Sequence, residues 1–325
     1  MRTLPSFLTL TAVAAVVLTG CSATPDDAES TSNATSAPIS CTDSGSVSDS
    51  VVVEGAADVE PTVTFPSPLT VDATERTVVS AGDGAEIETG DSTWISYAAY
   101  NATTGAKLSA GGYGDAAGLL VNVTESTGII PGILKGVACS SVGDRVAVVM
   151  PPADGFGEGG NAQLGVAPTD QILFVIDIAE QVPTRADGEA QEPVDGLPTV
   201  TLADDGAPTV KVPDTEAPTD LGIEVLQKGD GATVADGDTV AVQYSGVIWG
   251  TGEVFDQSWG GGGPAAFATT DVVPGFGQGL VGQTVGSQVL IVIPPELGYG
   301  AEGNSTAGIS GTDTLVFAVD ILSIG

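Results

Sequence analysis

The chain contains no histidine, only three cysteines, and 8 lysines and arginines against 42 aspartates and glutamates, which gives a formal charge of −34. Without histidine, and with too few cysteines for a thiolate cage, a zinc site is not expected. So acidic a surface repels phosphate backbones and anionic lipid headgroups, which argues against nucleic acid as a partner. No cofactor is predicted. Calcium stays open, although the aspartates lie mostly in turn sequences such as GDG and ADGD rather than at EF-hand spacing.

Long apolar runs are absent too, apart from one near the N-terminus. Arg2 precedes an apolar stretch from Phe7 to Leu18, which is too short to span a bilayer and is typical of an export signal. LTGC at 18–21 resembles the lipobox of bacterial lipoproteins, which implies cleavage before Cys21 and acylation of that cysteine. We therefore predict a signal peptide over 1–20, a lipidated flexible tether over 21–40 and an extracytoplasmic protein held to the membrane by lipid alone. The alternative is a plain secretory signal with an incidental cysteine.

Two cysteines remain after Cys21, namely Cys41 and Cys139. An exported compartment permits disulfides, and two is the number that one bridge needs. We predict a Cys41–Cys139 disulfide that ties an N-terminal extension to a short helix. Two unrelated free thiols are the alternative.

The chain repeats itself at long range. PTVTFP (61–66) matches PTVKVP (208–213), and GDGAEIETGD (82–91) matches GDGATVADGD (229–238), both 147 residues apart. Residues 129–178 and 272–321, at a separation of 143, share 19 identities in 50 without gaps, which is too many for chance. One four-residue length difference therefore falls between Ser109 and Ile129. We predict a first copy over 41–182, a linker over 183–198 and a second copy over 199–325.

Each copy is rich in short strands. The run at 239–247 alternates between apolar and polar residues. The runs at 287–293 and 314–321 are rich in Val and Ile and are bounded by Gly, Pro or Asp. The single helix that the pattern favours begins near Pro274 and ends near Gly282. A strand-rich domain with one short helix on one face of its sheet belongs to the α+β class. The alternation places three residues on one face: Val240, Val242 and Tyr244.

Four segments of the second copy bring many aromatic rings and one carboxylate into a small apolar pocket. They are VFDQSW (254–259), VVPGFGQGL (272–280), VLIVIPPELGYG (289–300) and TLVFAVDIL (314–322). Their order and spacing resemble the FKBP-type peptidyl-prolyl isomerases, fully over 230–325 and more loosely over the first copy. The resemblance implies two FKBP-like domains, each an antiparallel sheet curved around one short helix. It also implies a prolyl isomerase that needs neither a nucleophile nor a metal.

The resemblance also implies roles for residues of the second copy. The Val273 N–H would hold a substrate carbonyl, the Tyr299 hydroxyl would donate a second hydrogen bond, and Asp256 would orient the site through its neighbours. Many family members have a tryptophan at the floor, where this chain has a phenylalanine. Seven side chains would bind substrate: Tyr244, Phe255, Phe267, Val272, Phe276, Ile309 and Phe317.

Each of these residues also has a purely structural interpretation. Tyr244, Val272 and Phe317 fit an ordinary hydrophobic core, Asp256 fits a turn cap, and Tyr299 fits a surface ring in a glycine-rich loop. What favours a site is the joint order of the motifs. GGGGP at 260–264 lacks the Gly-Lys-Ser/Thr of a phosphate loop, so we predict a flexible loop at the rim of the pocket.

The first copy departs from this pattern at four places. Leu108 stands where the second copy has Phe255, Ser109 where it has Asp256, Ile133 where it has Phe276, and Phe156 where it has Tyr299. Tyr97 and Phe174 remain. The sequence therefore predicts a first copy that keeps the fold and has lost or weakened catalysis.

Taken together, these features predict a monomeric, lipid-anchored prolyl isomerase that acts on proline-containing exported polypeptides. The resemblance implies that macrolides of the tacrolimus and rapamycin type occupy the second pocket. The alternative is a non-catalytic peptide-binding or spacer lipoprotein built from two such domains.

Overall fold

The computed structural model describes residues 39–124 and 128–325. The predicted signal peptide over 1–20, the acylation site Cys21 and all of the predicted tether except its last two residues lie outside the described residues. No helix in the described part of the chain has both the length and the apolar character needed to cross a membrane.

The first copy consists mainly of short antiparallel strands. Strands β3 to β8 form a six-stranded sheet in the order β3-β7-β8-β4-β5, with β6 also paired to β4, while β1 and β2 pair separately as a hairpin. Its elements are β1 (Val52–Glu54), β2 (Thr62–Thr64), β3 (Glu75–Ser80), β4 (Ser92–Asn101), β5 (Lys107–Gly111), β6 (Leu119–Asn122), α1 (Pro131–Val137), β7 (Arg145–Met150) and β8 (Ile172–Val182).

The second copy has the same plan. Its seven-stranded sheet runs in the order β14-β13-β17-β16-β12-β9, with β15 also paired to β13, and β10 and β11 form a separate hairpin. Its helix matches the predicted start and end. The elements are β9 (Glu189–Ala190), β10 (Thr199–Leu202), β11 (Pro208–Lys211), β12 (Gly222–Lys228), β13 (Thr239–Ile248), β14 (Val254–Gln257), β15 (Ala265–Ala268), α2 (Pro274–Leu280), β16 (Gln288–Ile293) and β17 (Leu315–Ile324).

Strand pairing in the two sheets follows the repeat in the sequence. Ser109 lies opposite Ala99 in the first sheet as Asp256 lies opposite Gly246 in the second, both at the 147-residue offset. Strands β6 and β15 end 146 residues apart, and the two helices begin 143 residues apart. The four-residue length difference therefore divides into one residue before β6 and three residues after it.

Both faces of each sheet are covered. In the second copy, α2 packs on the face that carries Val240, Val242 and Tyr244, as the alternation predicts. The hairpin β10–β11 covers the opposite face, where Val200 and Val210 pack against the sheet. The hairpin β1–β2 covers the equivalent face of the first copy. The repeated PTVTFP and PTVKVP segments thus supply hairpin strands that bury a sheet face which many antiparallel sheets leave in water.

The predicted disulfide is confirmed. Cys41 and Cys139 are bonded, with Cα atoms 5.6 Å apart and a sequence separation of 98. Cys139 follows α1, and its N–H donates to the Ile87 carbonyl at 3.0 Å. Its φ of 60° is left-handed, and the second copy has Gly282 with φ 87° at the equivalent place. The bridge therefore joins the N-terminal extension to the end of the helix, as the sequence predicts.

The segment 183–198, predicted as a linker, packs on the second sheet. Strand β9 pairs with β12, and the Ala186 N–H donates to the Asp320 carboxylate at 2.8 Å. Asp320 is buried and also accepts from the Gln288 amide at 2.7 Å. The described residues, 39–124 and 128–325, belong to one compact unit, so the division into two independent domains stays a prediction.

Candidate functional site

A side-chain hydrogen bond joins two predicted site residues on the adjacent strands β13 and β14. Among the described residues it is the only side-chain hydrogen bond between predicted site residues. The Tyr244 hydroxyl donates to Asp256 Oδ2 at 2.7 Å. Burial, and secondarily this hydrogen bond, raises the pKa of Tyr244 well above its usual range. The hydroxyl therefore stays protonated, and it holds the exposed Asp256 carboxylate at the mouth of the pocket.

Gly246 leaves the space in which the rings of Phe255 and Phe317 pack against each other. Phe255 and Phe317 pack edge to face, with ring centroids 5.4 Å apart. A Cβ at Gly246 would lie 2.7 Å from the Phe255 ring and 2.8 Å from the Phe317 ring, which is closer than real Cβ contacts allow. In the first copy the equivalent residue is Ala99, and Leu108 replaces the first of these rings. In this chain, therefore, the copy with the ring has glycine at this position, and the copy without the ring has alanine.

Phe276, on α2, forms the centre of the ring cluster. Its side chain is 4 % exposed, and its ring centroid lies 5.0 Å from Phe317, 6.2 Å from Phe267 and 6.4 Å from Tyr244. All three pairs are edge to face, the arrangement that the ring quadrupoles favour. The predicted floor of the pocket is therefore packed rigidly from three sides.

Above the rings lies an open cavity of about 290 Å³. This is close to the lower end of the size range of small-molecule sites, and mostly apolar walls with a few polar groups are typical of such sites. Nine of the ten predicted catalytic and substrate-binding residues line the cavity, and Asp271 completes it. The lining residues are Tyr244, Phe255, Asp256, Phe267, Asp271, Val272, Val273, Phe276, Tyr299 and Phe317.

Two residues differ from the sequence prediction. Asp271 adds a second carboxylate to a pocket that was predicted to have one, and the only signal for it was its position next to the Val-Val-Pro-Gly segment. Ile309 does not line the cavity. It is 4 % exposed and packs in the hydrophobic core beneath the site, because its backbone pairs with Asn304 in the loop before β17.

The two groups predicted to bind the substrate carbonyls are both accessible. Val273 precedes the first residue of α2, and within the described residues its N–H donates to no backbone carbonyl. Tyr299 is 38 % exposed, and its hydroxyl has no protein hydrogen-bond partner among the described residues. The cavity thus combines apolar walls with two unused donors. Such an arrangement suits a neutral ligand with carbonyl groups.

The first copy keeps the backbone of this site and lacks three of its six rings. Phe156 and Tyr299 have nearly the same backbone angles, φ −90° and ψ 5° against φ −89° and ψ 5°. Tyr97 and Phe174 still pack with centroids 5.8 Å apart. Strand pairing also shows that Val121 is the equivalent of Phe267. The sequence alone did not reveal this replacement, because the position of the length difference between the copies was not known. The first copy therefore lacks one more ring than the sequence predicted.

Comparison with known proteins adds the family. The family model of the FKBP-type peptidyl-prolyl cis-trans isomerases matches residues 231–322 of the sequence. An FK506-binding protein of Streptomyces anulatus is 39 % identical over 107 residues, which is 32 % of this chain and 86 % of that protein. A probable FK506-binding protein of Corynebacterium glutamicum is 40 % identical over 104 residues, 32 % of this chain and 86 % of the relative.

Two further proteins are similar to this chain over a different share of their own length. The isomerase FkpA of Escherichia coli strain K12 is 40 % identical over 106 residues, 33 % of this chain and 38 % of FkpA, so the chain matches well under half of that relative. The solved structure of the three FKBP domains of wheat FKBP73 aligns with 78 % of this chain and 95 % of that one at 20 % identity and a TM-score of 0.33.

Proposed function

Because this chain belongs to the FKBP-type peptidyl-prolyl cis-trans isomerases, we propose that the cavity of its second copy is the isomerase site. One observation carries the proposal. The ring-lined cavity places the unused donors of Val273 and Tyr299 against apolar walls. The first copy has lost three of the six equivalent rings and the hydroxyl.

Such a cavity lowers the barrier to rotation without forming a covalent bond. Rotation about a prolyl bond costs about 18–20 kcal/mol because resonance gives the C–N bond partial double-bond character. The twisted amide is less dipolar than the planar one, so apolar walls favour it over the ground state. In this mechanism the Val273 N–H holds a substrate carbonyl, and the Tyr299 hydroxyl donates a second hydrogen bond. Asp256 acts as a positioning residue through the Tyr244 hydroxyl.

A pair of equivalent substitutions in the full chain tests this assignment. Asp256→Ser gives the second copy the residue of the first, and we expect the rate of prolyl isomerisation of a short peptide to fall several-fold. Ser109→Ala changes the equivalent position of the first copy and should leave the rate unchanged. Equal effects of the two substitutions, or none from Asp256→Ser, would place the activity elsewhere.

We propose further that the enzyme assists the folding of exported polypeptides while anchored outside the cell membrane as a monomer. The lipobox-like LTGC at 18–21 motivates the anchor, and the acidic composition motivates contact with the membrane through lipid alone. Cys21→Ser should release the protein into the medium or leave an uncleaved precursor. A variant that fractionates with membranes as the parent does would contradict the lipid anchor.

A further inference from the structure

The loop between β14 and β15 connects the two strands that carry Asp256 and Phe267 of the cavity. We call residues 258–264 the rim loop. It contains four consecutive glycines, and φ is 106° at Gly262 and 125° at Gly263. Glycine tolerates such angles but loses more conformational freedom on ordering than any other residue. A loop of this composition holds one shape only when other parts of the chain fix it.

The second copy fixes the beginning of the rim loop. The Ser258 N–H donates to the Tyr244 carbonyl at 3.0 Å, and the Ser258 hydroxyl accepts from the Tyr244 N–H at 2.8 Å. These bonds attach the loop to β13, the strand that carries Tyr244. Within the loop the Gly261 N–H donates to the Ser258 carbonyl at 3.0 Å, whereas the carbonyls of Gly262 and Pro264 have their partners in the first copy.

The first copy fixes the end of the rim loop. Asn122, at the end of β6, donates from Nδ2 to the Pro264 carbonyl at 3.0 Å, and Thr124 donates to the Gly262 carbonyl at 3.4 Å. Asn122 is itself oriented, because the Ser92 hydroxyl donates to its Oδ1 at 2.7 Å. A Cβ at Gly263 would lie 2.8 Å from the Asn122 side chain, so glycine is needed for this approach.

The bond from Asn122 belongs to a larger contact between the copies. Trp94 is 3 % exposed and packs with Val182 of the first copy and with Ala241 and Leu322 of the second. Its indole N–H donates to the Ser323 hydroxyl at 2.7 Å. An apolar contact of this kind holds β4 of the first copy close to the second sheet. It therefore keeps Asn122 within reach of the rim loop.

We propose that the first copy positions the pocket of the second, with Asn122 as the positioning residue that orders the rim loop. The inference rests on the proposed function, since it takes the second cavity as the isomerase site. It gives the first copy a role that does not require its own pocket. The ordering that the loop would otherwise undergo when substrate binds is then already complete in the free enzyme.

Substitutions in the full chain test this role. Asn122→Ala removes the donor to Pro264, and we expect KM for a short prolyl peptide to rise about fivefold with kcat unchanged, the scale of one neutral hydrogen bond. Asn122→Asp, which keeps the size but has no donor, should change KM in the same direction. Hydrogen exchange of the rim-loop amides, followed by mass spectrometry, should become faster in both variants.

Ser323→Ala is the matched control. It removes the hydrogen bond of the Trp94 indole but leaves the apolar contact of Trp94 and the contacts of the rim loop in place, so both KM and the exchange of the loop should stay at parent values. Unchanged KM and exchange in Asn122→Ala would overturn the inference, as would equal effects from Ser323→Ala. If Asp256→Ser slows isomerisation while Asn122→Ala does not, only the role of the first copy fails. If Asp256→Ser is silent, the assignment of the site fails as well.

Discussion

Tyr299→Phe isolates a single hydroxyl of the proposed site. The Tyr299 hydroxyl has no hydrogen-bond partner among the described residues, and the side chain is 38 % exposed. The substitution therefore removes no bond that the described fold uses, and we expect the melting temperature to stay at the parent value. Any loss of rate then reports an interaction with the substrate.

The size of the effect follows from one hydrogen bond. A neutral hydrogen bond contributes about 0.5–1.5 kcal/mol net. At about 1.36 kcal/mol per tenfold, kcat/KM should fall about twofold to twelvefold. If the bond forms mainly in the twisted state, the loss appears in kcat; if it forms equally in the planar ground state, the loss appears in KM. A peptide with one prolyl bond, followed by NMR exchange, separates the two.

The first copy supplies the reciprocal control. Phe156 and Tyr299 have nearly identical backbone angles, so Phe156→Tyr adds the hydroxyl at the equivalent place without backbone strain. We expect no gain in rate, because Leu108, Val121 and Ile133 still replace three rings of the cavity. An unchanged kcat/KM in Tyr299→Phe, or a gain in Phe156→Tyr that matches the loss, would refute the assignment of catalysis to the second cavity.

Three further predictions concern stability and ligands. Burial, opposed by the Ala186 N–H and the Gln288 amide, raises the pKa of Asp320. The folded protein therefore binds this proton more tightly than the unfolded chain does, and the free energy of unfolding should fall as the pH rises above about 4. Asp320→Asn should flatten that fall in denaturant titrations, and an unchanged slope would contradict it. Replacing Cys41 and Cys139 by serine should lower the free energy of unfolding by about 4–5 kcal/mol, since the bridge closes a loop of about a hundred residues; a loss under 1 kcal/mol would argue against that account. A tacrolimus-type macrolide should bind one site per chain by calorimetry, whereas two equal sites would show that the first pocket is intact.

The sequence predicts local elements and repeated motifs well because both depend on residues close together in the chain. The short helix from Pro274 and the strands follow from such signals, and the Cys41–Cys139 pairing follows from the number of cysteines that remain after Cys21. The order of the aromatic motifs also identifies nine of the ten residues that line the cavity. These features share one property, which is that a pattern within one copy is sufficient to indicate them.

The features that the sequence does not predict arise from pairings across long distances. Nothing near Asn122 indicates that its amide reaches Pro264, 142 residues away. The match of Val121 with Phe267 becomes visible only from strand register, because the length difference divides on either side of β6. The role of Gly246 likewise depends on two rings that reach it from other strands.

The pairing of β9 with β12 determines where the second copy can be cut for separate expression. A recombinant fragment begun at Thr199 would expose β12 as the outermost strand, and such unpaired edges promote intermolecular association. It would also leave the buried Asp320 carboxylate without the Ala186 N–H. A fragment begun ahead of Arg185 keeps both contacts, so aggregation of the shorter piece would reflect the cut and not the intrinsic stability of the copy.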